Sequence, residues 1–217
     1  MKIGILGAGT VGQSLARAVL AHGHIVMLSS RNPESAGMKT LIADLGDHAQ
    51  AGTVAQTIAY GDVIALALRP DAIQDVAKTG DWAGKIVIDM SNQFGGAIPS
   101  GQATANALTG AHVVKAFNTI GAEHYPNPKF GAENATMFIA GDDNNAKKAV
   151  SDLITQLGFD VVSVGGLADS RHLDALAQLW VHLAMPGGLG RNFALRLIRK
   201  YTKKGNQINR CRLPMIT

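Results

Sequence analysis

The chain has 217 residues and a single cysteine, Cys211. An internal disulfide is therefore excluded. No Cys/His spacing of the metal-binding kind surrounds Cys211, and a reducing, cytoplasmic compartment is expected. Aromatic residues make up only 5% of the chain, too few for a base-stacking surface. No stretch approaches the ~18 to 20 consecutive apolar residues of a membrane span. The histidines (His22, His24, His48, His112, His124, His172 and His182) form no ligand spacing with one another, so no metal site is predicted. There is no GxSxG and no paired-carboxylate pattern, which leaves hydrolysis without visible apparatus.

Acidic residues are missing from one region only. Between Arg191 and Thr217 there are eight basic residues and no acidic ones, whereas Met1–Gly190 carries twelve basic and sixteen acidic residues. The body is thus mildly acidic and the tail strongly basic, and the overall charge of +4 does not mark a nucleic-acid binder.

What is abundant is apolar and small. Hydrophobic residues make up 47% and there are 25 glycines, a mix suited to close-packed α/β layers. "KIGIL" at the start reads as a strand, and Thr10–His22 as a helix. Three glycines and Arg17 interrupt this apolar run, which argues for strand, turn and helix over a secretory leader. "HIVML" is a second strand, and Pro33 is placed at the first turn of another helix. "DVIALAL", "KIVIDM", "HVVKAF", "ATMFIAG" and "FDVVSVGG" are further β runs, several nearly continuously apolar, as in strands buried on both faces. "DDNNAKKAVSDLITQLG" reads as a helix ended by Gly158. Beyond Gly166 the pattern changes, with helices expected over Arg171–Met185 and Leu189–Tyr201. The expected organisation is a nucleotide-binding unit over 1–165, a helical segment over 166–202 packed on it, and a mobile basic tail over 203–217. Alternation of β and α with short connections predicts a doubly wound, mainly parallel sheet, with ligands at the carboxyl ends of its strands.

Gly7-Ala8-Gly9-Thr10-Val11-Gly12 is a GxGxxG in the context that gives the motif weight: after a strand, opening a helix, and ahead of a second strand. Gly7 permits the tight turn, Gly9 leaves room for a pyrophosphate, and Gly12 lets helix and strand close up. The helix N-terminus supplies free N–H groups and a positive dipole end. An NAD site usually has a carboxylate after the second strand, for the ribose 2′-hydroxyl. Here the residues are Ser29, Ser30 and Arg31. A guanidinium there suits a 2′-phosphate, so NADP(H) is expected over NAD(H). Glu34, the nearest acid, falls in the expected helix start.

Leu68, Arg69 and Pro70 end the "DVIALAL" run and should border the cofactor, with Arg69 on phosphate or ring. Asn92 in "DMSNQFGG" and Asn118 and Thr119 in "KAFNTIG" are amides and a hydroxyl suited to a nicotinamide or its partner. Lys115 is either a general acid or an ion-paired structural lysine, the second being favoured. His124 is the other candidate proton donor. The shortage of acid–base groups fits hydride transfer between two redox cofactors, where the protein mainly sets distance and face.

With these residues noted, the chain resembles the NADPH-dependent reductases of the deazaflavin coenzyme F-420, from Met1 to about Gly190. The resemblance rests on "GILGAGTVGQSLA", "SSRNPE", "ALRPDAI", "KAFNTIGAEHY", "AGDDNNAKKAV" and "GLADSRHLDALAQLW". It implies a Rossmann-type domain, a 2′-phosphate site at Ser30 and Arg31, and a pyrophosphate turn at Ala8, Gly9, Thr10 and Val11. It further implies cofactor contacts at Leu68 and Arg69, a nicotinamide loop near Asn92, and direct hydride exchange with a deazaflavin or flavin-like acceptor. "KAFNT" is closer to the broad bacterial branch of the superfamily than to the archaeal deazaflavin enzymes. The domain also resembles ferric or flavin reductases and pyrroline-carboxylate reductases. An imine or carbonyl reductase, a ferric reductase and a non-catalytic NADPH-sensing module therefore stay open. An apolar face on the final helices would indicate a homodimer.

Overall fold

The computed structural model describes residues 1–200. The expected basic tail over 203–217 lies outside the described residues. In chain order the elements are β1 (Lys2–Leu6), α1 (Thr10–Leu20), β2 (Ile25–Ser29), α2 (Ala36–Leu45), β3 (Ala49–Gly52), α3 (Val54–Tyr60), β4 (Val63–Leu66), α4 (Pro70–Ala77), β5 (Ile86–Asp89), α5 (Ser100–Ala107) and β6 (His112–Lys115). A two-strand ribbon, β7 (Lys129–Phe130) and β8 (Glu133–Asn134), follows, then β9 (Thr136–Gly141), α6 (Asn144–Gln156), β10 (Asp160–Gly165) and α7 (Ser170–Ala184).

The main sheet has the order β10-β9-β6-β5-β4-β1-β2-β3. β3 through β6 are all parallel. β9 runs antiparallel to β6, and β10 is parallel to β9. The sheet is thus Rossmann-like, mainly parallel and flanked by helices. Strand order reverses between β1 and β4, which opens the crevice where ligands of such sheets bind.

Alternation along each central strand builds a core on both faces. Ile3, Ile5, Val63, Ala65, Ile88 and Val114 point to one side, where Leu15 and Val19 of α1 and Val150 and Leu153 of α6 cover them. Leu6, Ile64, Leu66, Val87 and Val113 point to the other, against Ile58 of α3, Ile73 of α4 and Leu108 of α5. This double burial explains why the strands read as unbroken apolar runs.

Two expectations about helices are corrected. Pro33 does not begin α2. It sits in a turn, and the helix starts after Ser35, whose hydroxyl caps the Met38 N–H at 3.4 Å. The segment 189–200 is not helical either. It runs as an extended strap held by tertiary contacts: the Thr136 N–H donates to the Leu195 carbonyl (3.0 Å) and the Leu197 N–H to Thr136 Oγ1 (3.0 Å). Phe193 stacks on Trp180 of α7, with ring centroids 5.2 Å apart. Glycines at 187, 188 and 190, two of them at positive φ, stop α7 from continuing into it. No helix among the described residues is long and apolar enough to cross a membrane.

Candidate functional site

The Gly7–Gly12 turn lies at the carboxyl end of β1, at the crevice. Gly7 has φ +108°, and a Cβ there would lie 2.4 Å from the Ala67 carbonyl oxygen. A Cβ on Gly12 would lie 1.9 Å from the Gly7 carbonyl oxygen, so the helix could not sit this close to the strand. Gly9 differs: a Cβ there would meet nothing within 4 Å. Its lack of a side chain serves no intramolecular packing and leaves open space above the turn. Gly9 is the N-cap of α1 without a side-chain cap, and the first turn of α1 holds no acid. Its N–H groups therefore face outward unneutralised, as an anion site requires. Thr10 and Val11 are exposed on that turn, and Ala8 is half-buried, its carbonyl accepting from Gln13 Nε2 at 2.8 Å.

At the end of β2 the three residues take different parts. Ser29 is buried, and its hydroxyl accepts from the Gly7 N–H at 3.1 Å, locking the glycine turn to β2. The Ser30 hydroxyl accepts from the Asn32 N–H at 3.1 Å, which shapes the turn that presents Arg31. Arg31 is exposed and has no carboxylate partner among the described residues. Glu34 lies nearby in sequence but pairs with Lys39 at 3.2 Å.

Leu68 packs beside Gly7, and Pro70 is the first residue of α4. Arg69 is held by Asp71 through a two-point contact, its Nε at 3.0 Å from Oδ1. That hydrogen bond holds the Asp71 carboxyl below its ordinary range and the guanidinium above its own. The positive charge expected for phosphate at Arg69 is therefore matched locally. Arg31 is the cation of the pair that stays without a carboxylate.

On the other side of the crevice, "KAFNTIG" contains the one non-glycine residue at positive φ among the described residues, Phe117 at +66°. Such a conformation costs an aromatic residue about 1 to 3 kcal/mol. Here it is enforced by its neighbours. Tyr125 donates its hydroxyl hydrogen to the Phe117 carbonyl at 2.7 Å, and Phe117 meets Tyr125 and Phe159 edge to face. The kink presents Asn118 and Thr119 next. Asn118 Nδ2 donates to the Leu173 carbonyl at 3.3 Å, but Asn118 Oδ1 and Thr119 Oγ1 are buried without a protein partner among the described residues. Unmet buried polar atoms of this kind are uncommon and mark a place for a ligand or water. Asn92 is exposed on the loop after β5.

Lys115 has no exposed surface. Its Nζ donates to Asp89 Oδ2 at 3.1 Å, to the Ser91 carbonyl and to Ser91 Oγ at 3.4 Å. Asp89, equally buried, also accepts from Thr104 Oγ1 (2.9 Å) and the Ser91 N–H (2.9 Å). The ammonium is thus fully engaged as a structural ion pair beneath the loop that follows β5. His124 is also engaged: its Nε2 lies 3.0 Å from the Arg191 carbonyl, and its ring packs on Phe130. No group of three or more potential metal ligands occurs among the described residues.

Several contributors escaped the sequence reading. Asp89, the last residue of β5, stands in register with Lys115 on β6, and Ser91 follows two residues on, an arrangement only strand register reveals. Ser14 of α1 donates to the Ala122 carbonyl, tying the nucleotide-side helix to the loop after β6. Glu123 grips Arg191 at two points, both 2.8 Å, and so anchors the strap.

The fold and the glycine turn at its switch point define a Rossmann-type dinucleotide-binding protein. A family model described as NADP oxidoreductase, coenzyme F420-dependent, matches residues 2–93. Over these residues the chain is similar to this family of NADP-dependent oxidoreductases. A crystal structure from Arthrobacter sp. FB24, provisionally assigned as an F420-dependent NADP-reductase, is 27% identical and has a TM-score of 0.79, over 92% of this chain and all of that one. A hypothetical protein from Sinorhizobium meliloti is 31% identical with a TM-score of 0.70, over 78% of this chain and 87% of that one. Among curated proteins, the metalloreductase STEAP3 of Rattus norvegicus is 31% identical over 183 residues. That match takes in 81% of this chain and 36% of the relative, so the chain spans about a third of the relative's length.

Proposed function

We propose that the chain binds NADP(H) across the β1/β4 crevice and passes a hydride between the nicotinamide and a deazaflavin or flavin-like acceptor. The observation that carries this reading is the pairing of an open pyrophosphate turn at Gly9 with Arg31, an exposed cation without a carboxylate partner among the described residues, at the end of β2. The similarity of residues 2–93 to the coenzyme F420-dependent NADP oxidoreductases supports both halves.

The residues present fit the nucleotide. Gly9, Thr10 and Val11 would hold the pyrophosphate on backbone N–H groups and the α1 dipole. Arg31, with Ser30 shaping its turn, would meet the 2′-phosphate, and Leu68 and Pro70 would line the wall after β4. Asn118 Oδ1 and Thr119 Oγ1 would receive the donors of a carboxamide, which removes their unmet status. Bound there, the reduced nicotinamide supplies the hydride. The protein's share is to fix the ring's distance and face, through the Phe117 kink on one side and the Asn92 loop, pinned from below by Lys115, on the other. We take 1–165 as the nucleotide-binding unit and 166–200 as a cover packed on it.

A reduction of imines or carbonyls would need a proton donor, and both candidates, Lys115 and His124, are committed to structural hydrogen bonds. A ferric acceptor is the second reading, on the strength of the metalloreductase relative. The test is NADPH oxidation by the purified full chain with deazaflavin, flavin, ferric chelates and cyclic imines in parallel. Turnover with a deazaflavin or flavin supports the proposal. Turnover confined to ferric chelates selects the second reading. Tight NADPH binding with no turnover on any acceptor would make the chain a sensing module instead.

A further inference from the structure

Next to the nicotinamide side of the crevice is a cavity of about 190 Å³ between the loop after β5 and the first turns of α7. Its walls include Phe94, Gly95 and Gly96 on one side and Arg171, Asp174 and Gln178 on the other. The crevice and the cavity share a wall, because Asn118 Nδ2 donates to the carbonyl of Leu173, the residue before Asp174.

Size limits what this cavity holds. Pockets for whole small molecules run about 300 to 1,000 Å³, so this one takes a part of a ligand, not all of it. Its charges indicate which part. Asp174 is spent: one carboxylate oxygen accepts from the Ser100 N–H at 3.0 Å and the other from the Ser100 hydroxyl. Arg171 is tied only through Nε, to the Ala168 carbonyl at 3.0 Å, and has no carboxylate partner among the described residues. Its terminal nitrogens are left as donors. It also stands in the first turn of a 15-residue helix, whose dipole favours an anion at that end. Gln178, two turns along, adds an amide. Beside the cavity Phe94 is 45% exposed and Ile98 50%, an apolar ledge suited to a flat ring.

We propose that this cavity is the subsite for the anionic side chain of the redox acceptor, with Arg171 as the residue that selects an acceptor bearing a phosphate. This rests on the reading of the crevice as the NADP(H) site. The acceptor's ring lies over the Phe94 ledge toward the nicotinamide, and its charged tail reaches Arg171. Acceptors with the same ring and no anion lose that contact.

The experiment uses the full chain saturated with NADP+, with flavin mononucleotide and riboflavin as probes sharing one ring and differing by a phosphate. Binding is followed by flavin fluorescence, so no turnover is needed. The wild type is expected to hold flavin mononucleotide about fivefold or more tighter than riboflavin, the size of one partly exposed charge contact. Arg171→Gln should abolish that preference and leave riboflavin affinity in place. Arg171→Lys should keep most of it. No preference in the wild type, a preference that survives in Arg171→Gln, or no flavin binding at all would overturn the proposal. The affinity for NADPH, titrated separately on the same samples, separates the two failures. If NADPH binds and the flavin preference is absent, only the subsite assignment falls. If NADPH does not bind, the reading of the crevice falls with it.

Discussion

The hydroxyl of Tyr125 donates to the carbonyl oxygen of Phe117, 2.7 Å away, and so holds in place the one left-handed side-chain-bearing residue among those described. Burial of the phenol pushes its pKa well above the ordinary tyrosine range, so it stays a donor through any working pH. The contact joins two levels of the molecule, because a buried hydrogen bond maintains backbone strain and the strain aims Asn118 and Thr119.

Tyr125→Phe removes that donor and leaves a buried carbonyl unmet, at a cost of about 1 to 3 kcal/mol. The midpoint of urea unfolding should fall accordingly. Affinity for NADPH should drop as well, because the carboxamide acceptors lose their fixed position. A stability loss with unchanged affinity would separate the kink from the cofactor.

Gly9 and Gly12 make opposite predictions within one motif. Gly9→Ala places a methyl in open space, so it should fold with a cost of about 0.5 to 1 kcal/mol, since alanine is a poorer N-cap than glycine. It should nevertheless bind NADPH poorly, since the methyl fills the pyrophosphate's path. Gly12→Ala forces a methyl to 1.9 Å from a carbonyl oxygen and should lose about 1 to 3 kcal/mol or more of stability. Thermal melts with and without NADPH distinguish the two.

Arg31→Ala should weaken NADPH about ten- to a hundredfold and leave NADH nearly unaffected, the value of one charge-assisted phosphate contact at roughly 1.5 to 3 kcal/mol. The effect should shrink as salt rises, because the site is exposed. Arg69→Ala should matter less, since Asp71 already neutralises that guanidinium. Isothermal titration with both nucleotides measures all three statements.

The parts of this fold legible in the sequence were those with a repeating physical cause. β1, β4, β5, β6 and β9 are double-buried strands, and their nearly unbroken apolar character showed them. β3, "AQAG", is a short edge strand with no apolar run, and α3 and α5 are helices of eight residues or fewer, too short to display a period. The strap over 189–200 carries a helix-like pattern, "LGRNFALRLIRK", but tertiary contacts from Thr136, Trp180 and Glu123 override it. At the site, the glycine turn and Arg31 could be read because local geometry alone sets their roles. Ser29 as a lock on Gly7, Arg69 neutralised by Asp71, and Lys115 buried against Asp89 depend on which strands become neighbours, and a linear pattern does not carry that.

Lys115→Met is a test of role. As one partner of a fully buried pair, its removal leaves Asp89 charged in the core and should cost about 3 to 5 kcal/mol. A proton-donating lysine would behave otherwise, with turnover lost and stability kept. Chemical unfolding beside single-turnover hydride transfer decides between them, and the structure predicts the first pattern.

The last prediction concerns the strap. The hydrogen bonds from the Arg191 guanidinium hold the Glu123 carboxyl below the usual carboxylate range. A carboxylate depressed in the folded state contributes stability that is fully present above its unfolded pKa and is lost as pH falls through the folded value. The strap's clamp is therefore intact at neutral pH and is released only as pH falls below the ordinary glutamate range, where the unfolded carboxyl is already protonated. Because both groups are largely exposed, the stabilisation is modest, at most about 1 kcal/mol. Trp180 reports on it directly, since Arg191 lies 5.1 Å over its ring and Phe193 stacks on it. Its fluorescence should change on acidification before global unfolding, while Trp82, buried and bonded through its indole N–H to the Ala77 carbonyl of α4, stays constant. Glu123→Gln should show the acid-state Trp180 signal already at neutral pH and lose the titration. If the variant titrates like the wild type, a different group holds the strap.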